Sequence, residues 1–266
     1  MCPDSLEMAI KDRLAKGKSP KAIIVVHLYG MPAKMNEILE VAQKYNIPVI
    51  EDAAEALGSA YQGRKCGTFG LMSILSFNGN KIITTSGGGA LVCNTLEQKN
   101  KAVYLSTQAR ENAPHYQHSQ IGYNYRMSNI SAGIGRGQME VLDKRVEARR
   151  NNHFFYVKLF QEIEGVTVFS EPNEDFYSNH WLSAITVDER ITGWSNHDLR
   201  LQFEKEKIES RPLWKPMHLQ PVFENSIYYG NSVAEDLFNK GLCLPSGSNL
   251  TEEQKNRIKE VVLKMK

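Results

Sequence analysis

The sequence contains no long apolar run. Its longest purely aliphatic stretch is Ala22-Ile23-Ile24-Val25-Val26, far short of the roughly 20 residues that span a bilayer. It also has almost no net charge, since 32 Lys and Arg against 30 Asp and Glu leave +2. A nucleic acid or an acidic membrane recognised by bulk charge is therefore not the expected partner. The basic cluster Lys144, Arg145, Arg149 and Arg150 is interleaved with Glu140, Asp143 and Glu147, and reads as a solvated helix face. Cysteine is scarce. Cys2, Cys66, Cys93 and Cys243 show no paired metal-type spacing, so no metal site is expected and reduced thiols in the cytoplasm are the default. The opening residues lack the basic-then-apolar pattern of a secretory leader. There is no internal repeat and no low-complexity segment. What remains is globular: 266 residues, 41% hydrophobic and 23% charged, enough for one large or two modest domains with a sizeable core.

The pattern of elements is α/β. Residues 5–16 read as an amphipathic helix closed by Gly17. Residues 22–26 read as a strand covered on both faces. A helix follows with Met35, Ile38, Leu39, Ala42 and Tyr45 on one side. Pro48-Val49-Ile50 is a second short strand. Strand, helix, strand at this spacing is a βαβ unit and predicts a mostly parallel sheet flanked by helices. Residues 96–105 read as a helix, and 107–127 as a long polar and aromatic loop of the kind that is usually functional. Ser128 is placed to cap one long helix running to about Glu164, before Gly165. Short strands at 166–168 and 180–187, a helix over 195–206 and two late helices predict a smaller α+β domain. The boundaries expected are 1–145 for a large cofactor-binding domain, present in part, and 146–266 for the small one.

One stretch organises this frame. Between the apolar runs Ile74–Phe77 and Ala90–Cys93 lies a polar turn with Lys81 at its centre. Flanking strands would hold this lysine on a rigid base, partly out of water. Desolvation brings the neutral, nucleophilic amine within reach, which suits a Schiff-base lysine. A lone lysine beside a glycine-rich turn is more commonly a solvated loop residue, so the reading rests on its neighbours. Glu51-Asp52-Ala53-Ala54-Glu55 ends the second strand, and open α/β sheets place ligands at carboxyl ends. A cofactor that joins a lysine and needs a carboxylate at a pyridine nitrogen is pyridoxal phosphate. Asp52 is the candidate carboxylate. Glu55 lies against that ring or is an exposed glutamate. A Walker-type phosphate loop is excluded, because Lys81 is followed by Ile82 instead of Ser or Thr.

The motifs Glu51–Gly58, Ser76–Lys81, Gly122-Tyr123-Asn124-Tyr125-Arg126-Met127 and Arg211-Pro212-Leu213-Trp214-Lys215-Pro216-Met217-His218 resemble those of the DegT-type, pyridoxal phosphate-dependent nucleotide-sugar aminotransferases. Order and spacing agree along essentially the whole chain. The likeness is greatest to members that aminate a 4-keto-6-deoxy-N-acetylhexosamine carried on UDP, in cell-surface or secreted glycan synthesis. It implies the aspartate-aminotransferase-like fold and a homodimer with shared active sites. It implies that Lys81 holds the cofactor and shuttles protons, Asp52 meets the ring nitrogen and Glu55 sits over the ring. Ser76 would bind the cofactor phosphate, and Asn124 would reach the phosphate of the other subunit's cofactor. Arg211, Trp214, Lys215 and His218 would line the site for the nucleotide sugar. The amino-acid donor implied is glutamate. A dehydratase of the same family would carry histidine in place of Lys81. His27 is expected to be structural. Family members begin with a further segment carrying a Ser-Gly-Thr phosphate loop and an aromatic residue stacked on the cofactor ring. This chain starts after both, and many relatives carry an acidic residue where it has Ser86-Gly87-Gly88-Gly89. The expectation is a shortened chain, and its rival role is a non-catalytic fragment that binds a partner chain or a nucleotide sugar.

Overall fold

A computed structural model describes residues 1–265. Helix α1 (Pro3–Ala15) opens the chain, with Pro3 in the first turn where its missing N–H costs nothing. Strand β1 (Ile23–Val26), helix α2 (Met35–Lys44) and strand β2 (Val49–Asp52) form the expected βαβ unit. Ile23 lies opposite Val49 and Val26 opposite Asp52, in parallel. Met35, Ile38 and Ala42 of α2 pack on Ile23, Val25 and Val49. A small hairpin, β3 (Ala60–Tyr61) with β4 (Arg64–Lys65), leads to β5 (Met72–Ser76). Strand β5 runs parallel to β2, and β6 (Gly89–Cys93) returns antiparallel to β5. The sheet order is β1-β2-β5-β6.

The continuous apolar run 22–26 predicts cover on both faces. Only one face is covered among the described residues. Val25 is 0% exposed, while Ile24, one pleat step away, is 58% exposed. Across the sheet, Val26, Ile74 and Leu91 share that open face. The reason is that α1 and α2 bury their apolar residues in one common core with Ile23, Val25 and Val49.

Helix α3 (Leu96–Ser106) starts in a capping box between Thr95 and Gln98. Residues 107–127 hold only two isolated bridges, Thr107 with Asn124 and Arg110 with His118. The single long helix expected from Ser128 is two helices, α4 (Asn129–Met139) and α5 (Leu142–Phe160), with the break at Glu140-Val141. Gly133, Gly135 and Gly137 crowd the second half of α4 and weaken it. Ser128 does cap, its Oγ accepting from Ser131 N at 3.2 Å. The solvated-face reading of the basic cluster fails for Arg149, which is buried and donates to the carbonyl of Trp181.

The second sheet is antiparallel throughout, in the order β10-β11-β9-β7. It comprises β7 (Val166–Val168), β9 (Ser183–Val187), β10 (Arg211–Pro212) and β11 (Gly241–Leu244), while β8 (Phe176–Tyr177) joins the β3–β4 hairpin. The strand expected from His180 thus begins three residues late, and 178–182 is irregular. Around this sheet stand α6 (Glu189–Thr192), α7 (Asn196–Lys205), α8 (Val233–Lys240) and α9 (Glu252–Leu263). Tyr156 and Phe160 of α5, Leu199 and Phe203 of α7 and Ile258 and Val262 of α9 close on Leu242 of β11 in one core. No helix among the described residues is long and apolar enough to cross a membrane.

Candidate active site

Glu51 and Asp52 are neighbours at the end of β2, so the pleat sends them to opposite faces. Glu51 turns inward and is fully buried. It accepts from the amides of Gly67 (2.7 Å), Phe69 (2.5 Å) and Gly70 (2.6 Å). His27 Nε2 lies 3.1 Å from the same carboxylate. Ala33 N donates to His27 Nδ1 at 3.0 Å, so the hydrogen-bond network puts the ring proton on Nε2, facing Glu51. His27 is a structural residue, and so is Glu51. Asp52 points to the open face. Its Oδ1 accepts from Ala54 N at 3.1 Å, and no ion pair among the described residues takes it.

Glu55 follows in the turn after β2 and is buried. Its Oε2 accepts from the amide of Tyr29 at 2.7 Å. Tyr29 holds a left-handed backbone at φ 57°, an uncommon conformation for a bulky residue. The other Glu55 oxygen, Oε1, lies 3.5 Å from Lys81 Nζ. Burial pushes the Glu55 carboxyl above the ordinary range, and the Asp52 charge adds to this. The Tyr29 amide and the Lys81 ammonium pull the other way without prevailing.

Lys81 sits in the β5–β6 connection. That loop is closed by Lys81 N on Asn78 O (3.0 Å), Thr85 N on Phe77 O (2.9 Å) and Phe77 N on Gly88 O (3.0 Å). Buried Ile82 and Ile83 anchor it. The lysine side chain is 12% exposed, and its Nζ lies 4.2 Å above the ring of Trp181. Ser76 ends β5 opposite Gly89, and its Oγ accepts only a long 3.4 Å bond from Asn78 N. Lys81, Glu55, Asp52 and Ser76 thus gather at the carboxyl end of β2 and β5.

The remaining candidates spread further. Arg211 and Trp214 line a cleft of about 660 Å³ that also touches Asn80 and Trp181. Arg211 is exposed and held by Glu209 at 2.8 Å. The Trp214 amide donates to the Tyr29 hydroxyl at 2.9 Å, and its ring stands edge-on to Tyr29 and Trp181. Lys215 and His218 do not line this cleft. His218 Nε2 lies 2.9 Å from Glu235 and its ring stacks on Tyr228. Asn124 is exposed and bridges to Thr107. Two residues of this group carry no role in the sequence reading: Trp181, whose ring lies against Lys81, and Tyr29, whose amide holds Glu55. The only signal for Trp181 was a tryptophan at a strand start, which ordinarily means core.

The donor set fits pyridoxal phosphate. It holds a sheltered amine for an aldehyde, a carboxylate with no cation of its own for a protonated ring nitrogen, and a hydroxyl at a strand end next to a glycine-rich turn for a phosphate.

A second titratable cluster lies under β9. His153 and His180 stack face to face, ring centres 3.6 Å apart and 7° from parallel. Glu171 takes His180 Nε2 at 3.1 Å and Arg150 Nη1 at 2.6 Å. Near-parallel rings aim their lone pairs side by side, and a guanidinium already occupies the carboxylate, so this is poor metal geometry. Burial, then the neighbouring His180, lowers the His153 pKa to about 4. Unfolded, the ring takes its proton near pH 6.5. Between about pH 6.5 and 4 the unfolded chain therefore binds more protons, and lowering the pH through this window removes stability at up to about 1.4 kcal/mol per unit from this group. Urea midpoints at pH 7 and pH 5 should differ less in His153→Phe than in the wild type. Equal differences would show that His153 does not titrate in this way.

The chain belongs to the DegT/DnrJ/EryC1/StrS aminotransferase family, whose sequence profile it matches over residues 1–263. With that membership goes pyridoxal phosphate as cofactor and the aminotransferase class of enzyme. EpsN of Bacillus subtilis (strain 168), which carries the name of a pyridoxal phosphate-dependent aminotransferase, is 51% identical over 99% of this chain and 68% of its own length. GDP-perosamine synthase of Escherichia coli O157:H7 is 37% identical over 94% of the chain and 67% of its own length. The crystal structure of a family aminotransferase from Brucella abortus superposes with a TM-score of 0.87 at 28% identity, covering 99% of this chain and 69% of that one. The chain thus spans about two thirds of the length of these relatives. The expected α/β fold and family are both met.

Proposed function

We propose that this chain transfers an amino group, from glutamate, to the 4-keto carbon of a nucleotide sugar destined for cell-surface or secreted glycans. The observation that carries the reading is the placement of Lys81 Nζ between Glu55 and Trp181, at the strand ends that also bear Asp52. A relative named for a GDP-linked amino sugar supports the substrate class, and the motif likeness favours UDP as carrier. When bound, pyridoxal phosphate supplies an electron sink for the carbanion formed at the reacting carbon. Lys81 would hold the cofactor through its amine and, as a free amine, would move a proton at the reacting carbon. Glu55 would receive the Lys81 ammonium. Asp52 would face the ring nitrogen with its negative charge, and Ser76 would hold the phosphate. Arg211 and Trp214, at the cleft, and Lys215 and His218 beyond it bind the sugar nucleotide.

In this reading the chain divides into a cofactor-binding unit, 1–145, and a small unit, 146–266, and works in the cytoplasm. It pairs with a second copy through the region of Asn124. The exposure of Tyr116, Ile121, Tyr125, Ile130 and Ile134 in one stretch supports an interface there.

A second reading, binding without turnover, is favoured by the open aliphatic face of the first sheet, since parallel sheets are ordinarily covered on both sides. One experiment separates the two. The chain is mixed with pyridoxal phosphate, glutamate and a UDP- or GDP-linked 4-keto sugar. A violet-blue absorption band, release of 2-oxoglutarate and an amine on the sugar are expected. Nucleotide-sugar binding with neither band nor keto acid would favour the non-catalytic reading.

A further inference from the structure

We propose that Trp181 is a positioning residue for Lys81. It fixes both the loop that carries the lysine and the place of its amine. The proposal rests on the reading of Lys81 as the amine that takes the cofactor.

Trp181 lies outside both strands that flank Lys81, in the irregular stretch before β9. Its indole N–H donates to the carbonyl of Asn80, 101 residues away in sequence, at 2.7 Å. That carbonyl belongs to the residue directly before Lys81. The indole face lies under the lysine Nζ at 4.2 Å, within the range of a cation–π contact. One side chain therefore grips the backbone before Lys81 and the tip of Lys81 at once.

The grip is itself rigid. Trp181 is 2% exposed. Its amide donates to Asn179 Oδ1 at 2.8 Å, and its carbonyl accepts from the buried Arg149. Trp214 closes its edge at 5.8 Å. The Asn179 side-chain nitrogen donates to the carbonyls of Glu55 (2.8 Å) and Leu57 (2.9 Å). Residues 179–181 thus tie the Glu55 turn and the Lys81 loop together, and set the distance between carboxylate and amine. A tryptophan that only filled the core would need apolar cover and some partner for its N–H. This one gives its N–H to the backbone carbonyl just before Lys81 and its ring face to the lysine amine itself, whose four-carbon stem otherwise sweeps many rotamers.

The test uses the full chain, pyridoxal phosphate as probe, and the variants Trp181→Phe and Trp181→Leu. Titration of the visible band gives cofactor affinity. Borohydride then fixes the bound cofactor to whichever amine carries it, and peptide mass mapping reports the share on Lys81. Trp181→Phe keeps a ring face and loses the N–H, so affinity should fall about three- to tenfold with the label still on Lys81. Trp181→Leu loses both contacts, so affinity should fall about ten- to a hundredfold, with label scattered over other lysines. A readout free of cofactor accompanies it. In the cofactor-free chain, acetic anhydride should acetylate Lys81 about threefold faster or more in Trp181→Leu, relative to the other lysines, as the amine leaves its shelter. Wild-type affinity, exclusive Lys81 label and unchanged acetylation in both variants would overturn the proposal, whatever their thermal midpoints. If Trp181→Leu does not fold, Trp181→Phe decides alone, and wild-type affinity there overturns it. If the wild-type chain itself takes up no pyridoxal phosphate, the functional reading falls, and the acetylation rates still decide on Trp181.

Discussion

Lys81→Ala is expected to lose both half-reactions, each by roughly 10,000-fold or more, because one amine both holds the cofactor and moves the proton. The geometry leaves little room for a substitute. Lys81 Nζ stands between a buried carboxylate at 3.5 Å and an indole face at 4.2 Å. Alanine also strips Glu55 of its cation, so some stability goes with the activity. Lys81→Arg separates the two effects. Its guanidinium keeps a positive charge for Glu55 and a flat group for Trp181, yet cannot hold an aldehyde as an amine does. Thermal unfolding should place the arginine variant near the wild type, while single-turnover assays of each half-reaction find it as inactive as the alanine variant. Near-normal rates for either would refute the assignment of Lys81.

Asp52→Asn should bind cofactor and sugar nearly as before and turn over about a hundredfold more slowly, or worse. Asparagine retains an oxygen for the Ala54 amide, now at 3.1 Å from Oδ1, so the turn after β2 survives. What is lost is the negative charge. No cation among the described residues competes for it, so it is available to keep a ring nitrogen protonated, and a neutral ring is a poor electron sink. The loss should appear in kcat in place of KM, since the interaction gains strength only as charge builds on the ring. Stopped-flow measurement of the glutamate half-reaction checks this. A fast Asp52→Asn enzyme would remove Asp52 from its role.

Much of the frame was legible because local pattern and global fold agree in it. The run 22–26, the helical spacing of Met35, Ile38 and Ala42, and the strand at Val49 are each set by burial against one another, and their order alone implies a parallel pair. The places of Asp52 and Lys81 in the fold were legible because Asp52 ends β2 and Lys81 lies in the loop after β5, where the sequence changes abruptly from apolar to polar. Other features depend on partners far along the chain. Trp181 meets Asn80 across 101 residues, and Asn179 meets Glu55 across 124. No window of neighbouring residues contains both ends of such a contact. Arg149 looked solvated because its helix face is otherwise charged, yet it turns in to the carbonyl of Trp181. The break between α4 and α5 was hidden for a different reason. Single glycines are tolerated inside helices, and only the three together, before a Val141 at φ −113° and ψ 11°, end the run. The open face of the first sheet was illegible in principle, because an unbroken aliphatic run states that a strand is apolar, not which neighbours cover it.

The two adjacent carboxylates of β2 divide their labour by parity. Glu51 is spent on architecture, locked by three amides and His27, while Asp52 faces the other way with its charge unspent. A strand has only two sides, so a shift by a single position exchanges them. One codon deleted between Ile47 and Ile50 would bring an aspartate, one methylene too short, to the place where Glu51 meets the amides of Gly67, Phe69 and Gly70, and would turn the glutamate to the opposite face. A change of length at this strand thus does more than a change of letter: an apolar replacement at buried Val49 asks only for repacking of the core, whereas a change of count exchanges the two carboxylates between faces.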